Sequence, residues 1–441
     1  MSSQTIAKRR FRTLDHATKI EMVTGLLVAL LLLAFGIFCS FMPAISFHFM
    51  LRLVVVALTG YGGFLLFLFF FRGRSSRSDL LFSALVLGFA WLLNYNESLP
   101  EWIVRTSFGW YCLGIGLVMA IQLWIHHYNH VKGSFVTFLL ALSYALLGIV
   151  LLWTKIVDTQ NLMRLFGVYF ILLAIRMVFS TLQKYSDSYH WRRGIYVSLP
   201  TLLAAFLPEV VCRNLNNQIR TGKEYSLETI KRETPAKLRV MVHIGPEGFQ
   251  KIGHFTFSWK GMVYSYGNYD TKSVHLFGTM GDGVYFTVPA ELYRPNLMKY
   301  EHNTLFEYTI QTTPEQDARI EEQLTELHHR SVRWYSEWEK KGVHHELGEL
   351  EKDYPSRLHY RTGAKFYKLK SGAFKTYWAA GDNCVLFSDM ILGSVGADVL
   401  SLRGIITPGT YFDYLESEYD KSNSPIIERR IYSQAASQDG I

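Results

Sequence analysis

The sequence predicts a multi-span α-helical membrane domain followed by an α+β domain with an antiparallel sheet. Three observations carry that expectation. Up to about residue 212 the 441-residue chain is dominated by apolar runs of membrane-spanning length. Beyond it, ordinary charge, strand-like alternation and helix-start signals take over. In the first half, Lys, Arg and His gather in every second connection, which is the positive-inside pattern. The net charge of +8 is therefore read as membrane topology, and no nucleic-acid partner is expected.

Residues 1–19, with Lys8, Arg9, Arg10, Arg12 and Lys19, form a segment expected in the cytoplasm. Within the membrane domain, 20–212, spanning runs fall at about 21–41, 49–71, 79–95, 103–125, 134–154 and 161–181. Arg72, Arg74 and Arg77 follow the second run, His126, His127 and Lys132 the fourth, and Lys184, Arg192 and Arg193 the sixth. The stretch Pro43–His48 has no Lys or Arg, and the third connection carries Glu97 and Glu101. The first run is too long, and too closely followed by others, for a cleavable signal peptide. Residues 195–212 are a seventh candidate, anchored by Trp191, Arg192 and Arg193 but interrupted by Pro200 and Pro208. If they span, the soluble domain faces outward, which is the expectation adopted here; if they lie at the interface, it faces the cytoplasm. Cys39 and Cys112 sit in spans and Cys212 at the edge of one, so no disulfide framework is expected.

After a short helix and linker over 213–236, the second domain occupies 237–415. Lys237–His243 alternates as a strand, His254–Trp259 as another, and Lys260-Gly261 turns the chain into Met262–Tyr266. Val284–Val288 and Leu305–Ile310 continue the strand series. Thr313 followed by Pro314 and Gln316 starts an amphipathic helix through Ile320, Leu324 and Leu327. Residues 340–360 read as a charged loop, and Phe366–Tyr377 as a strand or extended lead-in to a helix over Asp382–Leu392. Thr407–Leu415 reads as a turn with a short helix, and 416–441 as a polar tail.

Chemistry concentrates at Gly381-Asp382-Asn383-Cys384. A helix capped by Asp382 or Asn383 puts the Cys384 thiol at the positive end of a helix dipole, which favours the thiolate. About 130 residues upstream, Gly253-His254 opens a strand, and a thiol needs an imidazole base with a group to orient it. Cys384 and His254 are the candidate pair; Asn268 or Asp270 is the candidate orienting group, and Cys384 N–H with a neighbour the oxyanion donor. A buried cysteine is otherwise a small hydrophobe. His344-His345-Glu346 lacks the spacing of a metal motif, and Gly278-Thr279-Met280-Gly281-Asp282-Gly283 lacks that of a phosphate loop, so neither a metal nor a cofactor is expected.

Two resemblances accompany these readings. Gly25 to Gly36 running on to Pro43, Ala145–Gly148 and Leu165–Ala174 resemble the small-residue helices of HdeD-type membrane proteins over about the first 180 residues. Arg164 and Arg176, in or near the sixth span, are candidates for lipid-phosphate contact. Gly253–Phe257, Tyr264–Asp270 and Tyr377–Phe387 resemble circularly permuted papain-like cysteine enzymes, a group that includes lecithin:retinol acyltransferase-type, NlpC-related and lipoprotein N-acyltransferase members. The lecithin:retinol type carries a second histidine on the strand after the first, where this chain has Tyr266, Asn268 and Asp270. The second resemblance implies a permuted papain-like fold and a cysteine hydrolase or acyltransferase working through an acyl-enzyme. Its substrate would be a phospholipid, lipoprotein or peptide at the surface of a bacterial cell or inner membrane. The competing reading is a non-enzymatic stress or transport-related membrane protein with a papain-like binding domain.

Overall fold

The computed structural model describes residues 16–72, 77–96, 98–154, 156–184, 201–220, 228–231, 235–246, 248–341, 348, 351–396, 406–421 and 423–432. The chain divides into two compact units. One is Met1–Leu117 with Leu140–Thr181, and the other is Val118–Leu139 with Leu182–Ile441.

The first unit is helical because leucine, phenylalanine and alanine dominate it, and in lipid only intrahelical bonds satisfy the backbone. Its elements are α1 (His16–Phe41), α2 (Pro43–Arg72), α3 (Arg77–Tyr95), α4 (Ser98–Tyr128), α5 (Phe135–Trp153) and α6 (Thr159–Lys184). All six are long and apolar enough to cross a membrane, the character of a multi-pass membrane protein. Small residues let the helices touch. A Cβ on Gly36 of α1 would lie 2.8 Å from Gly167 O of α6, and one on Gly148 of α5 would lie 2.9 Å from Gly109 O of α4. Ser83 Oγ of α3 donates to Gly62 O of α2 at 2.7 Å. Arg164 spends its charge locally, on Asn161 Oδ1 at 2.6 Å.

The seventh candidate span is described only in part. Residues 195–200 lie outside the described residues, and Thr201–Arg220 forms α7, which is not among the six apolar helices. Cys212 and Leu215 are buried in the core of the second unit, with Leu207 and Val211 packed against it, while Phe206 and Val210 are exposed.

That unit is built on an antiparallel sheet. Its strands are β1 (Glu228–Ile230), β2 (Leu238–Ile244), β3 (His254–Trp259), β4 (Met262–Gly267), β5 (Met280–Asp282), β6 (Val284–Pro289), β7 (Thr304–Ile310), β8 (Ser331–Trp334), β9 (Lys365–Leu369), β10 (Thr376–Trp378) and β11 (Ile426–Tyr432). Nine of them run in the order β1-β11-β7-β2-β3-β4-β6-β9-β8, and β5 pairs with β10 alone. The helices are α8 (Ala290–Lys299), α9 (Pro314–His329), α10 (Glu337–Lys341), α11 (Tyr354–Thr362), α12 (Cys384–Leu392) and α13 (Pro408–Tyr419).

Strand alternation sends side chains to two cores. Phe255, Phe257 and Tyr266 face α12, α13 and α9, while Met241, Val263 and Phe286 face Tyr293 of α8 and Leu358 of α11. Phe255, Phe257 and Phe286 are fully enclosed, each contributing roughly 1.5–3 kcal/mol of burial.

Three expectations change here. The polar tail from Glu416 is the end of α13 followed by β11, which lies between β1 and β7 inside the sheet. The charged loop over 340–360 contains most of α11, capped by Asp353 accepting from Ser356 N; residues 342–347 lie outside the described residues. In 213–236 helix is present as the last turns of α7, and the change is the short strand β1 in the linker that follows.

Candidate active site

β3 opens at His254 because Gly253 lets the chain turn tightly into it. Gly253 has φ +96°, and a Cβ there would sit 3.0 Å from His243 O. His254 lies opposite His243 on β2, their ring centres 5.6 Å apart. The two imidazoles take separate hydroxyls. His243 Nε2 is 3.0 Å from Thr256 Oγ1, whereas His254 Nε2 is 2.8 Å from Ser265 Oγ and 3.2 Å from Tyr269 OH. Ser265 and Tyr269 also bond each other at 2.9 Å. Burial holds His254 down at about 4, so the ring is neutral at physiological pH. When Nε2–H donates to these hydroxyls, Nδ1 is the nitrogen that can take a proton.

The cysteine loop is fixed residue by residue. Asn383 caps α12, its Oδ1 accepting from Val385 N and Leu386 N at 3.0 and 3.1 Å. Its Nδ2 donates to Ala379 O and Ile406 O, tying the loop to the segment before α13. Cys384 is then held against β3. The N–H groups of Phe255, Cys384 and Val385 all favour its ionised form, but burial outweighs them and pushes the thiol up to about 11. The thiolate expected from the helix dipole is therefore not the resting species. The dipole's donors are present, and desolvation is larger.

The thiol lies against Phe255 N–H, and His254 is the residue before Phe255 at the start of β3. Among the described residues no hydrogen bond joins the two directly. Tyr269 lies between them in the electrostatic sense. Its hydroxyl touches His254, burial first of all keeps it a neutral phenol, and an ionised Cys384 would add to that. Burial and the nearby Cys384 charge do the same to Tyr377.

Asn268 and Asp270 have other partners. Asn268 Nδ2 donates to Gly278 O at 2.7 Å, and Asp270 caps a short 3-10 turn while pairing with Lys368 at 2.6 Å. Ser265 and Tyr269 stand at the imidazole instead. Sequence reading missed Ser265 because a serine in an alternating strand carries no signal of its own. His344-His345-Glu346 lies outside the described residues, and no His, Cys, Asp or Glu cluster among the described residues could hold a metal.

Comparison with protein-family models, curated proteins and solved structures gave no match. The likeness to permuted papain-like enzymes rests on the residues quoted for it.

Proposed function

We propose that the chain is a membrane-anchored cysteine acyltransferase or hydrolase that forms an acyl-enzyme on Cys384, with His254 as base. One observation supports this above the rest: the thiol that opens a helix lies against the N–H of Phe255, the residue after His254, whose imidazole carries Ser265 and Tyr269 on Nε2. His254 would take the thiol proton as Sγ bonds to the carbonyl carbon of an ester, thioester or amide. Cys384 N–H and Phe255 N–H are the donors suited to the oxyanion. Collapse breaks the bond to the leaving group, which takes the proton from His254. Water or an acceptor amine then repeats the sequence and releases the acyl group. A neutral thiol beside a neutral imidazole suits this concerted transfer, because no free thiolate accumulates. The six spans favour a substrate at the membrane surface, such as a phospholipid or lipoprotein.

The test is labelling of the full-length protein with an alkyne-tagged acyl thioester. Wild type should be labelled at Cys384, whereas Cys384→Ala and His254→Ala should not. Wild type without His254-dependent labelling would favour the binding-domain reading, which draws support from the enclosed, protonated thiol.

In this proposal the sheet unit is cytoplasmic, the alternative to the outward-facing expectation. α7 contributes Cys212 and Leu215 to the sheet unit's core, which leaves six candidate spans and both ends of the chain on one side. The residues closing the fourth span belong to the same compact unit as the sheet, and they carry His126, His127 and Lys132. Cysteine-accessibility mapping on a surface position such as Lys299 tests this. Modification by an impermeant reagent from outside intact cells would contradict it.

A further inference from the structure

We propose that Gln122, near the end of the fourth span, is a positioning residue for Cys384, so that a membrane helix helps to set the thiol; this rests on the cysteine-enzyme reading above.

Gln122 and Asp382 are both buried, and they bond at two points. Gln122 Nε2 donates to Asp382 Oδ1 at 2.9 Å, and Asp382 N–H donates to Gln122 Oε1 at 3.3 Å. The pairing fixes the amide's orientation, since the reverse would set two oxygens against each other. Gly381 is the residue that admits it, because a Cβ there would lie 1.6 Å from Gln122 Oε1.

His126 Nε2 lies 2.5 Å from Gln122 Nε2 and 3.4 Å from Asp382 Oδ1. Asp382 Oδ2 is enclosed without a hydrogen-bond partner among the described residues. A buried carboxyl group is costly unless it is bonded, and Asp382, two residues before Cys384, is bonded to Gln122. That bond bears on the register of the loop. Asp382 O accepts from Trp378 N, Asn383 N donates to Gly381 O, and Asn383 caps the helix that Cys384 opens.

The same helix end is pinned elsewhere. Asn129 Nδ2 donates to Thr376 Oγ1 at 3.1 Å, and Gly372 N donates to Asn129 O at 2.9 Å. Ile125 shares a small apolar cluster with Met280 and Trp378. These contacts support the loop's surroundings, and only Gln122 and His126 reach the residue beside the cap.

The experiment uses the full-length protein in membranes. Iodoacetamide modification is read by mass on the Cys384 peptide across pH, and acyl-thioester labelling is measured alongside. Gln122→Ala should loosen the loop, opening the thiol to water and away from its base. The midpoint of the alkylation profile should fall by about one pH unit, while acyl labelling falls about tenfold or more. Asn129→Ala should leave both within about twofold of wild type.

Gln122→Glu with Asp382→Asn exchanges donor and acceptor across the same contact and should restore both readouts. Gln122→Glu alone sets two carboxylates together and should not. An unchanged profile and labelling in Gln122→Ala would overturn the proposal. If that variant does not fold, a double variant that fails to recover more than Gln122→Glu alone overturns it as well. Absence of acyl labelling in wild type would defeat the enzyme reading, and the alkylation arm would still decide whether Gln122 sets the thiol.

Discussion

At Cys384 two opposing effects meet, and burial is the larger. The thiol, held up at about 11, should alkylate at a rate that keeps climbing with pH beyond 9. A plateau below pH 8, read by mass on the Cys384 peptide, would mean a stable thiolate instead. Ser265→Ala removes the closer of two hydroxyls from His254 Nε2 and leaves Tyr269, so acyl labelling should fall by roughly tenfold, less than in His254→Ala. His254 also links the fold to pH. The unfolded ring titrates near 6.5 and the folded one near 4, so between these values only the unfolded chain is protonated. That part of the stability is full above pH 6.5 and disappears toward pH 4, on the order of 3 kcal/mol. Thermal unfolding in detergent should show a steeper acid loss in wild type than in His254→Gln. The positions of the two candidate residues were legible, because a glycine precedes His254 and a capping asparagine precedes Cys384. The hydroxyls at His254 were not, since Ser265 and Tyr269 are ordinary residues until the strands pair. Gln122 was less legible still, at 260 positions from Asp382 and inside an apolar run.

Among the elements, α12 depends on one side chain. Asn383 accepts from two helix N–H groups and donates to two carbonyls, so Asn383→Ala should destabilise the domain by about 2–3 kcal/mol, more than an ordinary cap. Thr407→Ala, which opens the capping box of α13, should cost about 1 kcal/mol by the same thermal measurement. Both helix starts were readable, because a cap, a proline or a turn residue announces itself locally. β11 was hidden because Glu428, Arg429 and Arg430 break its apolar run. Each of these charges is answered: Thr309 donates to Glu428 at 2.6 Å, Arg430 to Glu428 at 2.8 Å, and Arg429 to Glu416 at 2.8 Å. α8 was hidden by Pro295 inside it, and Arg294 anchors it to buried Glu307 at 2.6 Å.

For the whole molecule, the six helices follow from hydropathy, whereas the packing of 201–212 depends on what α7 lies against. Its length alone could not decide, since an amphipathic helix and a minimal span overlap in composition. Because β11 lies between β1 and β7, ending the chain after residue 424 should expose both strands, and limited proteolysis should then digest the sheet unit. The central claim joins the membrane half to a reactive thiol, and acyl-thioester labelling of the full-length protein tests it most directly. The account predicts an acyl adduct on Cys384 in wild type, lost in Cys384→Ala and reduced by about a hundredfold or more in His254→Ala. A wild-type protein that takes up no acyl group at Cys384, or takes it up equally without His254, would contradict it.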